Sequence, residues 1–210
     1  MNVDLLLEIL GFTIGIIYLW YEYHANPRMW FASIVMPLIS MWIYFRKGLY
    51  ADFAINIYYV VIAVYGYLAW TFHGDRKKRR KPLPVTRTPL WAAAVAAAAF
   101  AVLWAAIWWL LENATDSTVP VADAFTTALS IVAMWMLARK YAEQWLAWLA
   151  VDAVCVGLYI YKGIYFYATL YAVYTVIAWL GYRKWLALMR TPQPETTKAG
   201  IDVSEPERMR

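Results

Sequence analysis

Two stretches of this sequence, KGLYADFAINIYYVVIAVYGYLAW at 47–70 and KGIYFYATLYAVYTVIAWLGYRKW at 162–185, lie 115 residues apart and agree at ten of 24 positions. Shared apolar composition does not set Lys47 on Lys162, Gly48 on Gly163, Tyr50 on Tyr165 and Tyr59 on Tyr174 in one register. Nor does it set Gly66, Tyr67 and Trp70 on Gly181, Tyr182 and Trp185. The same offset brings Trp30 onto Trp145, Tyr44 onto Tyr159 and Glu8 onto Asp123, so the repeat extends well upstream of the matched stretch.

Around this repeat the chain is 63% hydrophobic and only 16% charged over 210 residues. Soluble domains carry roughly 45–50% apolar residues, and a soluble core of this size would not hide the surplus. A spanning helix needs about 20 largely apolar residues, and seven such stretches run over 3–23, 29–45, 49–72, 90–111, 123–138, 145–161 and 164–189. The reading is an all-α membrane protein with seven transmembrane helices. The second, fifth and sixth are short, which suggests ends shielded by protein or beside a wet cavity. Residues 1–4 lead straight into the first apolar stretch without a basic region and cleavage site, so that stretch reads as a mature span.

Helices one to three correspond to helices five to seven. Three is odd, so two triplets joined directly would be inverted; the Ala-rich fourth helix restores one orientation to both. The expected plan is 3+1+3, two parallel three-helix repeats. It divides the chain into a first repeat at 1–72, a basic cytoplasmic loop at 73–89, a linker helix at 90–111, a second repeat at 112–190 and a disordered cytoplasmic tail at 191–210. Parallel repeats are a transporter architecture with substrate held near the midplane between the halves; a duplicated scaffold without a pathway is the alternative.

Orientation follows from the basic residues, because Lys and Arg loops stay on the cytoplasmic side. With the N-terminus outside, the inner side holds Arg28, the run 76–81, Arg87, Arg139, Lys140, Arg183, Lys184 and Arg190, against Arg46, Lys47 and Lys162 outside. That is thirteen to three. The net charge of +5 is therefore a topology signal and not a nucleic-acid footprint. One cysteine, Cys155, and two histidines, His24 and His73, exclude a disulfide framework and a Cys/His metal cluster. No cofactor is expected.

An ionisable side chain costs about 2.5–3.5 kcal/mol at the centre of a spanning helix, so it faces a cavity or a partner. Asp152 lies seven residues after Trp145, roughly 10 Å along a helix and so near the midplane. Trp145, Trp148, Asp152 and Tyr159 share one helical face. Such a stripe suits a flat organic cation: the rings offer stacking and cation–π contact, the acid charge or a hydrogen bond. The alternative is a protonated or helix-tied Asp152 with Trp145 as an interface anchor. Asn56, one turn from Tyr59 and Asp52, can supply an amide to the same cavity or act as interhelical glue. Thr127 and Ser130 share a face of the fifth helix, although hydroxyls there often bond their own backbone. Pro37 removes a donor from the second helix and is a candidate kink or hinge. It is also the repeat counterpart of Asp152, so the site is expected to be asymmetric. Glu8, Asp52 and Asp123 read as solvated caps or orienting charges, and Trp70, Tyr182 and Trp185 as belt residues at the membrane surface.

With these residues in place, the chain resembles the PnuC family of bacterial vitamin transporters, which are similar to full-length relatives of the SWEET sugar transporters. The resemblance spans 7–185 and is strongest over DAFTTALSIVAMWMLARKYAEQWLAWLAVD at 123–152, GLYIYKGIY and the paired Gly-Tyr-x-x-Trp endings. The family motif W-x-x-W-x-x-x-N/D falls on Trp145, Trp148 and Asp152. The resemblance implies facilitated diffusion across the bacterial cytoplasmic membrane without ion coupling, functionally coupled to a cytosolic kinase that traps the vitamin. It implies nicotinamide riboside, thiamine or riboflavin as substrate. Members carrying nicotinamide riboside are expected to have Asn at the last motif position and Gln where Asn56 stands, and this chain departs at both. LWYEYHAN and YADFAINIYYV look more like members associated with thiamine, which is the substrate preferred on sequence, with nicotinamide riboside the alternative.

The expected partners are thus a small-molecule vitamin and the lipid bilayer, with no nucleic acid; the sequence is compatible with a homo-oligomer. Rival classes are an ion-coupled transporter using Asp152 or Glu8, and a non-transporting interaction protein. A membrane-embedded enzyme is disfavoured by two loop histidines, one thiol and no clustered catalytic acid.

Overall fold

A computed structural model describes residues 3–47, 50–72, 83–115 and 118–190. They form seven helices: α1 (Val3–Tyr23), α2 (Met29–Lys47), α3 (Tyr50–Thr71), α4 (Leu90–Ala114), α5 (Pro120–Ala138), α6 (Gln144–Tyr161) and α7 (Tyr165–Arg190). Four of these regions, Phe53–Thr71, α4, α5 and α6, are clearly long and apolar enough to cross a bilayer. At 19, 19 and 18 residues, α2, α5 and α6 are the shortest of the described helices, as expected, although α5 and α6 are still long enough to cross. α5 starts three residues early because Pro120 occupies its first turn, where a missing N–H is harmless and φ is already helical. The six-residue basic run at 76–81, the tail from 191, His73 and the side chains of Glu8 and Asp52 lie outside the described residues.

α1 packs on α2 and α2 on α3; α5 packs on α6 and α6 on α7; α3 then meets α5, and α1 meets α7. Helix α4 lies outside, against α5, through Ala92, Ala96 and Phe100, and Trp104 Nε1 donates to the Val121 carbonyl at 3.1 Å. Its other side is apolar and exposed, with Trp109 67% and Val102 68% open, as a lipid-facing surface requires.

The details of packing recur at the spacing of 115 residues. Helices α1 and α5 both end in a left-handed residue, Ala25 (φ 51°) and Lys140 (φ 61°). Asn26 N donates to the Tyr21 carbonyl as Tyr141 N does to Met136, and Ala25 N to Glu22 as Lys140 N to Leu137. This is the Schellman arrangement that satisfies two orphan carbonyls at a helix end. Trp30 rests against Gly66 and Trp145 against Gly181, where a Cβ would come within 2.7 Å of the indole.

Trp70 and Trp185 depart from the belt position expected of them. Both are buried, at 1% and 0% exposure, while Tyr182 is half-buried. Trp70 Nε1 donates to the Leu137 and Ala138 carbonyls at the end of α5, and Trp185 Nε1 donates to the Glu22 carbonyl near the end of α1. Their rings form a row with their neighbours: Trp30–Trp70 at 5.5 Å and 87°, Trp70–Trp185 at 6.1 Å and 59°, and Trp185–Trp145 at 5.9 Å and 87°. Edge-to-face geometry of this kind lets large rings pack closely across an interface.

The last part of the segment before α4 is not a solvated loop. Thr86 exchanges backbone hydrogen bonds with Lys140 and Ala142, and Glu143 accepts from both Thr88 N and Oγ1 at 2.7 and 2.8 Å. Lys140 donates to the Leu83 carbonyl at 2.8 Å and sits 4.3 Å over the Trp70 ring. Burial costs this ammonium its hydration and pushes it down to about 8.

Candidate functional site

The helices enclose two cavities that meet at one carboxylate. The first, of about 300 Å³, is bounded by Gly15, Tyr18 and Glu22 of α1, Met134 of α5, Trp145, Trp148 and Asp152 of α6, and Tyr171 and Tyr174 of α7. The second, of about 280 Å³, is bounded by Tyr59, Asp123, Thr127, Ser130, Tyr159 and Lys162, and shares Trp148, Asp152 and Tyr171 with the first. The first approaches the end of the bundle where α1 finishes and α6 begins; the second opens toward the opposite end, where α5 begins and α6 finishes.

Side-chain placement follows from helix periodicity. Steps of three and four along α6 carry Trp145, Trp148 and Asp152 to one face, which the fold turns inward, so that Asp152 is only 7% exposed and Trp145 2%. The indole N–H groups of Trp145 and Trp148 have no hydrogen-bond partner among the described residues. Buried donors without partners are uncommon and call for an acceptor. Tyr159 stacks on Tyr167 at 5.3 Å and on Tyr171 at 5.2 Å, giving the second cavity a flat aromatic wall. Near the mouth, Lys162 Nζ lies 3.9 Å from Asp123, an exposed pair of small energetic weight.

Of the residues singled out from sequence, Trp145, Trp148 and Asp152 converge on the first cavity, and Tyr59, Thr127, Ser130 and Tyr159 join Trp148 and Asp152 on the second. Thr127 Oγ1 also donates to the Asp123 carbonyl of its own helix at 2.8 Å. Asn56 is buried on α3 but belongs to neither wall. Pro37 lines a third cavity of about 250 Å³ with Tyr18, Ser33 and Tyr59. Sequence reasoning missed Glu22, Tyr18, Tyr171 and Tyr174. Glu22 is 2% exposed and accepts from Gln144 Nε2 at 3.2 Å. The signal was present in one form: Glu22 is an acid one turn after Tyr18 on the same face of an apolar helix.

Among the described residues no three His, Cys, Asp or Glu side chains come together as metal ligands. What the arrangement offers is an aromatic, acid-bearing chamber inside a membrane helix bundle, suited to holding a flat polar molecule.

Membrane-length helices around such a chamber make this a multi-pass membrane protein. The chain belongs to the family described as nicotinamide mononucleotide transporter, which it matches over residues 5–187. It is 23% identical over 202 residues to the nicotinamide riboside transporter PnuC of Escherichia coli, covering 86% of this chain and 84% of that one. It is 33% identical over 131 residues to the riboflavin/roseoflavin transporter RibM of Streptomyces davaonensis, covering 60% and 59%. Among solved structures it is similar to the vitamin B3 transporter PnuC, with a TM-score of 0.61 at 20% identity over 84% of this chain and 79% of that one, a likeness of fold. The membership makes the protein a transporter and not an enzyme.

Proposed function

We propose that this chain carries a vitamin nucleoside, nicotinamide riboside, across the bacterial cytoplasmic membrane by facilitated diffusion. The observation that carries the reading is the first cavity, in which two indoles with unpaired N–H groups flank a buried carboxylate. Its volume stands near the lower end of the roughly 300–1,000 Å³ of small-molecule sites, and a pyridinium ring can stack there beside a negative charge. The names of the relatives, a nicotinamide riboside transporter and a riboflavin transporter, favour this substrate over thiamine and reverse the order taken from the sequence. Thiamine remains the second reading on one observation: the last motif position is Asp152, an acid where an amide is expected in nicotinamide riboside carriers.

In this reading the two triplets α1–α3 and α5–α7 are parallel repeats linked by α4, supported by matched caps and glycine–indole contacts 115 residues apart. The N-terminus faces out, with Arg28, Arg139, Lys140 and Arg190 at the inner end. A cytosolic kinase would trap the product. Asn56 acts by holding α3 in the bundle. Liposomes containing the purified chain should take up nicotinamide riboside saturably, faster than thiamine or riboflavin, with no change on adding protonophore or removing sodium. Uptake that collapses without an ion gradient would make the protein a coupled transporter with Asp152 as the proton site.

A further inference from the structure

Glu22 is the second carboxylate of the first cavity and plays no part in the family motif. It lies on α1, across the chamber from Asp152 on α6, and is 2% exposed. The surrounding fold fixes it. Gln144 Nε2 donates to its Oε1 at 3.2 Å, Tyr18 lies within hydrogen-bonding reach, and Trp185 Nε1 ties its backbone carbonyl at 3.1 Å. No basic side chain lines this cavity. A buried carboxylate without a cation loses several kcal/mol of hydration, so a site that keeps two of them presents acceptors to something that brings donors. Gln144 is fully buried and does not line the cavity, so its amide acts on Glu22 and not on an occupant of the chamber. The unpaired Trp145 N–H on the cavity wall adds a donor.

The two ends of the chamber thus differ in chemistry. The Trp148 and Asp152 end is aromatic with one carboxyl group; the Glu22 end offers the Glu22 carboxyl and the Tyr18 hydroxyl. A riboside has the same division, with a flat cationic ring at one end and a sugar carrying hydroxyl donors at the other. We propose that Glu22 is a second recognition carboxylate, which accepts hydrogen bonds from the sugar hydroxyls of a vitamin nucleoside while its cationic ring lies at Trp148 and Asp152. This rests on the function proposed above. Gln144 is a positioning residue: it holds the Glu22 carboxylate toward the cavity.

The test compares two ligands that share the cation and differ only in the sugar, nicotinamide riboside and N1-methylnicotinamide. Binding to the purified full chain is read by competition. Glu22→Ala should weaken the riboside about tenfold or more, as loss of a hydrogen bond to a charged group does, and leave N1-methylnicotinamide within about twofold. Asp152→Asn should weaken both ligands alike. Glu22→Gln keeps the size of the side chain and should show a smaller loss confined to the riboside, so it decides the matter if the alanine variant does not fold. Equal loss of both ligands in the Glu22 variants, or no loss, overturns the assignment while leaving the transport reading intact. Binding of thiamine in preference to the riboside by the unaltered chain overturns the sugar assignment. If that chain binds neither vitamin, the function reading fails first and takes this inference with it.

Discussion

Replacing Gly181 by alanine introduces one methyl group where the packing has no room for it. The added carbon would stand 2.7 Å from Trp145 Cδ2 and Cε2 and 2.8 Å from Cε3, all on the fused edge of the indole. In a helix interior, alanine in place of glycine stabilises by about 0.5–1 kcal/mol. Overpacking a well-filled site costs about 1–3 kcal/mol, and Trp145 is further confined by the edge-on ring of Trp185 at 5.9 Å. The net expectation is a loss of about 1–2 kcal/mol, a fall in Tm of roughly 2–8 °C on the scaling for chains of this size. Trp145 also bounds the first cavity, so its displacement should weaken vitamin binding more than stability alone predicts. Gly157→Ala is the control, since nothing lies within 4 Å of a Cβ there and helix propensity alone should raise Tm. Thermal unfolding in detergent and ligand titration of both variants decide the case. If Gly181→Ala matches Gly157→Ala in both measurements, the close contact between glycine and indole is not what seats Trp145.

Other consequences follow from the same packing. Gly66→Ala should destabilise as Gly181→Ala does, through Trp30, but without the added binding defect, because Trp30 does not line the first cavity; equal binding losses in the two would contradict this. Ala25→Gly should raise Tm by the equivalent of about 1 kcal/mol, since its φ of 51° penalises a Cβ; a fall in Tm would refute it. Lys140, lowered to about 8 from 10.5 when unfolded, means that the unfolded chain binds more protons between these values, so stability should rise with pH across that window. Lys140→Met should flatten that rise, and an unchanged slope in unfolding measurements would assign it elsewhere.

The helices were readable because an apolar stretch of about 20 residues carries its own signal. The Trp145, Trp148 and Asp152 face was readable because three steps along one helix fix it without knowledge of any neighbour. Glu22 was passed over for the opposite reason. In LWYEYHAN it reads as an acid at a helix end, where water is expected, and only the meeting of α1 with the start of α6 buries it against Gln144. Trp70 and Trp185 were misread on the same ground, since an indole near a helix end looks alike whether it faces headgroups or the neighbouring helix terminus. Asn56 illustrates the converse: its depth along α3 was inferred, but the face that it turns to the cavities depends on how α3 rolls against α5.

Each of those two buried indoles closes a helix in the other half: Trp70 of α3 serves the end of α5, and Trp185 of α7 serves the end of α1. Neither half can therefore complete itself. A polypeptide containing only the first three helices would carry one idle indole donor, that of Trp70, and a first helix that keeps its own backbone cap but loses the indole from the other half. The same reciprocity means that a substitution at either indole is felt at a helix end in the other triplet.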